Sequence, residues 1–332
     1  MPMSENASLA EIKELIDQYQ VFAVLSHIRP DGDAIGSQLA LGDALEQLGK
    51  KVYYFNEDGL PESMAFMKGS ERIEQPPSEA PADLEVAVAL DTAKRDRVGK
   101  RNVGILDAAK VVLNIDHHIT NPGYGDLNYI VATSPACGEI LYDIITELEL
   151  PLSEVTRDAI YVAVSTDTGS FQYGSTTKHT YEMAADLVER GVQVGEINRL
   201  CYDSYPARKV ELMKALFGTL EISADKKIAH WDLTQEVFKG LSLQPDDSED
   251  LINIIRGIDT VVVAMFFEEL EDGEIRVSMR SKTSAINASE ICQLFGGGGH
   301  AAAAGIRKPG TIASVKAEVT AEVAKRIAAA GL

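Results

Sequence analysis

VFAVLSHIRPDGDAIGSQLALGDALEQLGKKVYYFNE, residues 21–57, holds two short aliphatic runs with one helical pattern between them. VFAVLSH (21–27) and KVYYFNE (51–57) read as strands. AIGSQLALGDALEQLG (34–49) repeats its apolar residues at helical spacing and closes near Gly49. Strand, helix, strand is the unit of a parallel α/β sheet. LEVAVALDTA (84–93) and AKVVLNIDHH (109–118) add two more strands downstream. Their near-continuous apolar cores are those of strands buried on both faces. Helical patterns dominate from about residue 136 to 220, broken by the turn-rich DTGSFQYGS (167–175).

A second composition begins near residue 220. LEISADKKIAHWDL (220–233) predicts two strands around a turn. VVVAMFFEEL (261–270) and EIRVSMRSK (274–282), joined through Glu271, Asp272 and Gly273, predict a hairpin. A short helix, the run FGGGGHAAAAG (295–305) and an amphipathic helix over 311–330 complete the chain. The domain boundary is expected in the helical stretch 191–220. Met265, Phe266, Phe267 and Trp231 read as core, and His179 and His230 as structural or surface residues.

The length, 332 residues, suggests two domains. With 45% hydrophobic and 25% charged residues, a disordered or collagen-like chain is excluded. There are 31 Lys and Arg against 51 Asp and Glu, a formal charge of −20. Such a chain has no general attraction for long duplex DNA. Its ligand is small or short, or bound cations offset the acid locally. Cys137, Cys201 and Cys292 form no C-x-x-C pair, so neither a disulfide framework nor a zinc ribbon fits. No apolar run reaches the roughly 18 residues that span a membrane. The first 20 residues are polar and acidic, unlike a secretory signal. A soluble cytoplasmic protein with no membrane partner is the expectation.

The acids and histidines fall at element ends. One strand runs into His27-Ile28-Arg29-Pro30-Asp31-Gly32-Asp33, another into Asp91-Thr92-Ala93, a third into Asp116-His117-His118. The helical stretch 152–166 runs into Asp167. In an open parallel sheet the carboxyl ends of the strands line one rim, where ligands bind. The arrangement therefore gathers His27, Asp31, Asp33, Asp91 and His117 at one crevice, within range of Asp167. Clustered carboxylates repel unless a cation sits among them. Carboxylate with imidazole suits Mn²⁺, Mg²⁺ or Fe²⁺ better than Zn²⁺. The ligand count exceeds one ion and fits two sharing a carboxylate, an arrangement that activates water for in-line phosphoryl displacement.

A second candidate site is Arg280-Ser281-Lys282 with Gly296 to Gly299 and His300. Glycines let backbone N–H groups approach an anion. Arg280 can fork onto a phosphate, and His300 can add a donor.

HIRPDGDAIGS (27–37), ALDTA (89–93), IDHH (115–118) and STDTGSF (165–171) resemble, in order, the four N-terminal motifs of the DHH phosphoesterase superfamily. RSK (280–282) and FGGGGHAAAAG (295–305) resemble its C-terminal DHHA1 domain. The resemblance covers nearly the whole chain. The size is that of the stand-alone branch of nano-RNases that also dephosphorylate 3′-phosphoadenosine 5′-phosphate (pAp). It implies an α/β fold: a parallel-sheet DHH metal-binding catalytic domain over 1–190, a helical connector over 191–222, and a smaller DHHA1 substrate domain with a mixed sheet over 223–332.

By the same resemblance, His27, Asp31 and Asp91 hold one Mn²⁺. Asp33, Asp91, His117 and Asp167 hold a second, with Asp91 bridging and Mg²⁺ or Fe²⁺ as alternative ions. Asp116 supports the histidines, and His118 faces the scissile phosphate. Arg280, Ser281, Lys282, Gly297, Gly298, Gly299 and His300 bind the substrate's terminal phosphate and nucleotide, with Arg97 a further phosphate contact. The implied activity is hydrolysis of short single-stranded RNA and pAp by in-line attack of hydroxide. A cyclic-dinucleotide phosphodiesterase of the c-di-AMP type, or a hydrolase of linear dinucleotides, is the alternative within the same chemistry. A nucleotide-binding module without turnover is the alternative of another class. Homodimerisation is left open.

Overall fold

A computed structural model describes residues 6–332, in two compact units that meet in sequence at Ser204 and Tyr205. Of the polar opening stretch, residues 1–5 lie outside the described residues. No helix among the described residues is long and apolar enough to cross a membrane.

The first unit runs α1 (Leu9–Gln18), β1 (Val21–Leu25), α2 (Gly32–Gln47), β2 (Lys51–Phe55), β3 (Ile73–Glu74), β4 (Val86–Leu90), α3 (Lys100–Ala108), β5 (Val111–Asp116), β6 (Leu127–Ile130), α4 (Cys137–Glu147), α5 (Glu154–Asp167), α6 (Lys178–Glu189) and α7 (Val194–Tyr202). Its six strands form one parallel sheet in the order β3-β2-β1-β4-β5-β6. Phe22, Val24, Val86, Val88 and Leu90 face a core shared with α1, α2, α4 and α5. Ala23, Leu25, Ala87 and Ala89 face the other side, where Ile105 and Leu106 of α3 cover them. Burial on both faces is the physical reason the strands read as unbroken apolar runs. Strand order reverses between β1 and β4. Chains leaving those two strands diverge to opposite faces and open a crevice at their carboxyl ends.

The strands are shorter than the apolar runs suggest. Ser26 and His27 have left the ladder after β1, and Thr92 and Ala93 after β4. Helix α2 starts at Gly32, earlier than the apolar spacing indicates, because the Asp31 carboxylate caps it. One Asp31 oxygen accepts the N–H groups of Asp33 and Ala34 at 3.1 and 3.0 Å.

Helices α2, α4 and α5 pack at very short range. A Cβ at Gly36 would lie 2.5 Å from the Ala159 carbonyl oxygen and 2.9 Å from the Ala163 Cβ. One at Gly138 would lie 2.5 Å from the same Ala163 Cβ. Backbone cannot step aside as a side chain can. Gly36→Val is therefore expected to destabilise the protein by about 1–3 kcal/mol. At 2–4 °C per kcal/mol, Tm falls by about 2–12 °C. A thermal melt at wild-type Tm would contradict this packing.

The second unit runs α8 (Ala207–Gly218), β7 (Glu221–Ile222), β8 (Ile228–Leu233), α9 (Gln235–Gly240), α10 (Ile252–Arg256), β9 (Val263–Glu269), β10 (Glu274–Ser281), α11 (Ala288–Gln293), β11 (Gly298–Gly299), β12 (Ala303–Pro309) and α12 (Ile312–Ala329). The mixed sheet has the order β11-β12-β10-β9-β8-β7, with only β8 and β9 parallel. Val263, Met265, Phe267, Val277 and Met279 pack beneath α11 and α12. Trp231, fully buried, packs with Phe266 and α8 on the opposite face. The predicted hairpin is β9–β10, turning at Gly273 with φ +80°.

The glycine run is part of the sheet. Gly298 pairs with Gly305, and Gly299 with Ala304. A Cβ at Gly297 would sit 2.1 Å from the Gly305 carbonyl oxygen, so close strand approach explains this glycine. Gly298 has open space around it.

Candidate metal centre

Each element brings one or two groups to the crevice. Just beyond β1, His27 has its Nδ1 2.9 Å from the Ile28 carbonyl, which places the Nδ1 proton there. Its Nε2 then points at carboxylates, 3.2 Å from Asp91 and 3.7 Å from Asp31. The Asn56 amide donates to the His27 carbonyl and to the Ser26 hydroxyl, both at 2.9 Å, and so holds this turn.

Asp91 follows β4 directly. Its φ of +53° is a left-handed conformation that turns the chain sharply, and its N–H donates to the Ile115 carbonyl at 3.1 Å. The carboxylate is thereby set at the centre of the cluster. Beyond β5, His117 Nε2 lies 3.3 Å from Asp91, 3.6 Å from Asp167 and 3.9 Å from Asp33. Asp33, on the first turn of α2, accepts the N–H groups of Cys137 at 2.7 Å and Gly138 at 2.9 Å. The amino end of α4 thus steadies a carboxylate buried to 1% exposure. Asp167 closes α5.

The charges conflict as they stand. Burial, with the charges of Asp91 and Asp167, pushes the Asp33 carboxyl well above the usual range. Burial pushes Asp167 up to about 7; His117 opposes the shift, and Asp31 and Asp91 add to it. Burial also opposes ionisation of Asp91, yet the close imidazoles of His117 and His27 hold it well below the carboxylate range. One Asp91 oxygen, Oδ1, is buried with no well-directed hydrogen bond, although His117 Nε2 lies 3.3 Å and His118 Nδ1 3.6 Å away. A buried anionic oxygen held by no hydrogen bond, among carboxylates and imidazoles, is what a cation site presents.

The donors fit that reading in detail. His27, Asp31 and Asp91 offer ligand atoms within 4.8 Å of one another, and so do Asp33, Asp91 and His117. Asp91 belongs to both groups. Oxygen donors with one imidazole each suit a divalent Mn, Mg or Fe ion.

Asp116 and His118 do a different job. Asp116 is fully buried, and its Oδ1 accepts from His118 Nδ1 at 2.8 Å. Its Oδ2 accepts from the Asn121 amide at 2.6 Å. Asn121 in turn reaches Asn114, which reaches Thr92 and Tyr124. Sequence reading passes over Asn114, Asn121 and Tyr124. Their only signal is three polar residues inside or just beyond an apolar strand, which spacing rules do not single out.

Of the remaining candidates, Arg97 belongs to the first unit and the others to the second. Arg97 lies in the turn Arg95–Val98; its carbonyl accepts the Ile28 N–H at 2.7 Å and its side chain is exposed. Arg280 is half-buried at the end of β10, with Nη1 donating to the Met279 carbonyl at 3.2 Å. The Ser281 hydroxyl donates to the Thr283 carbonyl at 3.0 Å. Lys282 is tied to the carbonyls of Ile258 and Asp259 at the end of α10. Gly298 and Gly299 form the edge strand β11 of the same unit, flanked by Gly297 and exposed His300. His179 pairs with Asp143 at 2.8 Å, and His230 is buried against Phe267.

Known proteins with the same pattern place the chain. The model of the DHH family N-terminal domain matches residues 21–164, and that of the DHHA1 domain matches 233–329. The bifunctional oligoribonuclease and PAP phosphatase NrnA of Thermus thermophilus is 32% identical over 283 residues, 85% of this chain and 82% of that one. The probable bifunctional oligoribonuclease and PAP phosphatase NrnA of Streptococcus mutans is 30% identical over 90% of this chain and 91% of that one. The crystal structure of an exopolyphosphatase-related protein from Bacteroides fragilis shares the fold at a TM-score of 0.85 and 24% identity, over 96% of each chain. With the parallel sheet, its shared aspartate and the second mixed-sheet unit, these matches lead to one statement: the chain belongs to the DHH phosphoesterase superfamily, as a DHH domain followed by a DHHA1 domain, in the branch of the NrnA proteins.

Proposed function

We propose that this protein is a Mn²⁺-dependent phosphoesterase that hydrolyses short single-stranded oligoribonucleotides and pAp. The observation that carries the reading is Asp91, common to two ligand groups, with one oxygen buried and held by no hydrogen bond. The names of the relatives support the substrate class. His27, Asp31 and Asp91 would hold one ion, and Asp33, Asp91, His117 and Asp167 the other. Bound there, divalent cations supply Lewis acidity at phosphorus and a nucleophile from water at neutral pH. His118, held by Asp116, meets the scissile phosphate. Arg280, Ser281 and the Gly297–His300 segment take the terminal phosphate and nucleotide.

The test is a comparison of initial rates with Mn²⁺, Mg²⁺ or Fe²⁺ on pAp, a linear dinucleotide, a cyclic dinucleotide and a 24-mer RNA. Turnover of pAp and the linear dinucleotide supports the proposal. Preference for the cyclic compound makes the protein a cyclic-dinucleotide phosphodiesterase. Nucleotide binding with no turnover makes it a binding module.

Activity is expected to fall steeply with substrate length. Phosphates beyond the first one or two gain no contact on a protein of charge −20 and meet repulsion instead. That repulsion is screened beyond about 8 Å at physiological salt, so added salt should narrow the gap. A time course with end-labelled RNAs of about 2, 5 and 24 residues measures it; equal rates would point to a processive nuclease with a longer binding track.

A further inference from the structure

We propose that Asn121 is a positioning residue: it clamps the Asp116 carboxylate so that Asp116 serves His118 and stays out of the cation site. The inference rests on the reading of the site given above, and its test separates the two.

Asn121 is 3% exposed, so its amide must be satisfied within the protein. Its Oδ1 accepts the Gly123 N–H at 2.8 Å. That contact settles which way the amide faces, because the other end meets only acceptors. Nδ2 lies 2.6 Å from Asp116 Oδ2, 2.8 Å from Asn114 Oδ1 and 3.1 Å from the Thr92 carbonyl. Turned over, the oxygen would face a carboxylate and two carbonyl oxygens. Asn114 and Thr92 are themselves fully buried, so the amide is held from two strand ends at once.

The clamp matters because Asp116 has a competing use. Asp91, Asp116 and His118 also offer ligand atoms within 4.8 Å of one another. A free Asp116 carboxylate beside that of Asp91 would be drawn to a cation. Held by Asn121 at one oxygen, it offers the other to His118 Nδ1 at 2.8 Å. A carboxylate accepts only, so the proton sits on Nδ1 and Nε2 becomes the nitrogen that meets substrate.

The experiment compares wild type, Asn121→Ala, the milder Asn121→Ser, and Asn128→Ala as a control for the fold. Asn128 is an equally buried asparagine whose side-chain amide ties Gly125 at 2.9 Å through both its oxygen and its nitrogen, and not Asp116. The first readout is the ¹⁵N spectrum of the His118 ring in the Mg²⁺-loaded protein, recorded where the ring is neutral. Wild type and Asn128→Ala are expected in the Nδ1–H form, and both Asn121 variants are expected to shift toward Nε2–H. The second readout is kinetic, on pAp with Mn²⁺. kcat is expected to fall about 10–100-fold in the Asn121 variants with KM nearly unchanged, as for groups that orient a catalytic residue. An unchanged His118 tautomer in the Asn121 variants, or an equal kcat loss in Asn128→Ala, overturns the proposal. Should pAp prove not to be a substrate, the tautomer still decides the role of Asn121 while the proposed activity fails separately.

Discussion

Asp91→Asn is expected to lower kcat by about 10³-fold or more, beyond the 10²–10³ lost with a single electrostatic contact, because both ligand groups lose the anionic carboxylate they share. Asparagine is the informative replacement. The position has φ +53°, where asparagine is tolerated and alanine carries a Cβ penalty of about 1–2 kcal/mol. The fold should therefore survive, with circular dichroism and Tm close to wild type. Removal of the charge also leaves His27 and His117 without their nearest anion, so Mn²⁺ binding by calorimetry should weaken at both sites. A kcat within about tenfold of wild type would remove Asp91 from the centre of the mechanism.

Arg280→Ala should act on binding and leave the metals alone. Arg280 lies one residue before the end of β10, paired with the small residues Ala264 and Ala303. Loss of one charge-assisted hydrogen bond to phosphate, about 1.5–3 kcal/mol, lowers kcat/KM for short substrates by about 10–200-fold. Mn²⁺ affinity should be unchanged. If calorimetry showed Mn²⁺ binding lost in this variant, the assignment of phosphate binding to the second unit would be wrong.

The site is legible in sequence to the extent that it follows strand ends. His27, Asp91 and His117 sit just past apolar runs, and a parallel sheet sends all such positions to one rim. Asp33 and Asp167 were readable as companions because each borders a helix that packs on that sheet. The backbone was not readable. Nothing in ALDTA announces that Asp91 turns left-handed, since aspartate is common in ordinary turns too. The glycine run reads as an anion-binding loop and not as a strand because its pairing depends on Gly305 and Ala304, which no local pattern identifies as partners. Strands β3 and β6 escaped notice for a related reason: two and four residues are too few to show a period. The Asn121 network is invisible in sequence because hydrogen-bond partners are set by tertiary approach.

The strand order of the first unit also has a bearing on when the protein can work. β1 lies between β2, its successor, and β4, which begins at Val86. The sheet cannot close around its middle until that later strand arrives. Asp167 comes later still, at the end of a helix that must slide against Gly36 before its carboxylate is in place. Such non-local pairings form late and slowly in a folding chain. A nascent or half-folded chain thus carries the ligand residues without the centre, and the assembled centre should emerge only as the whole first unit locks.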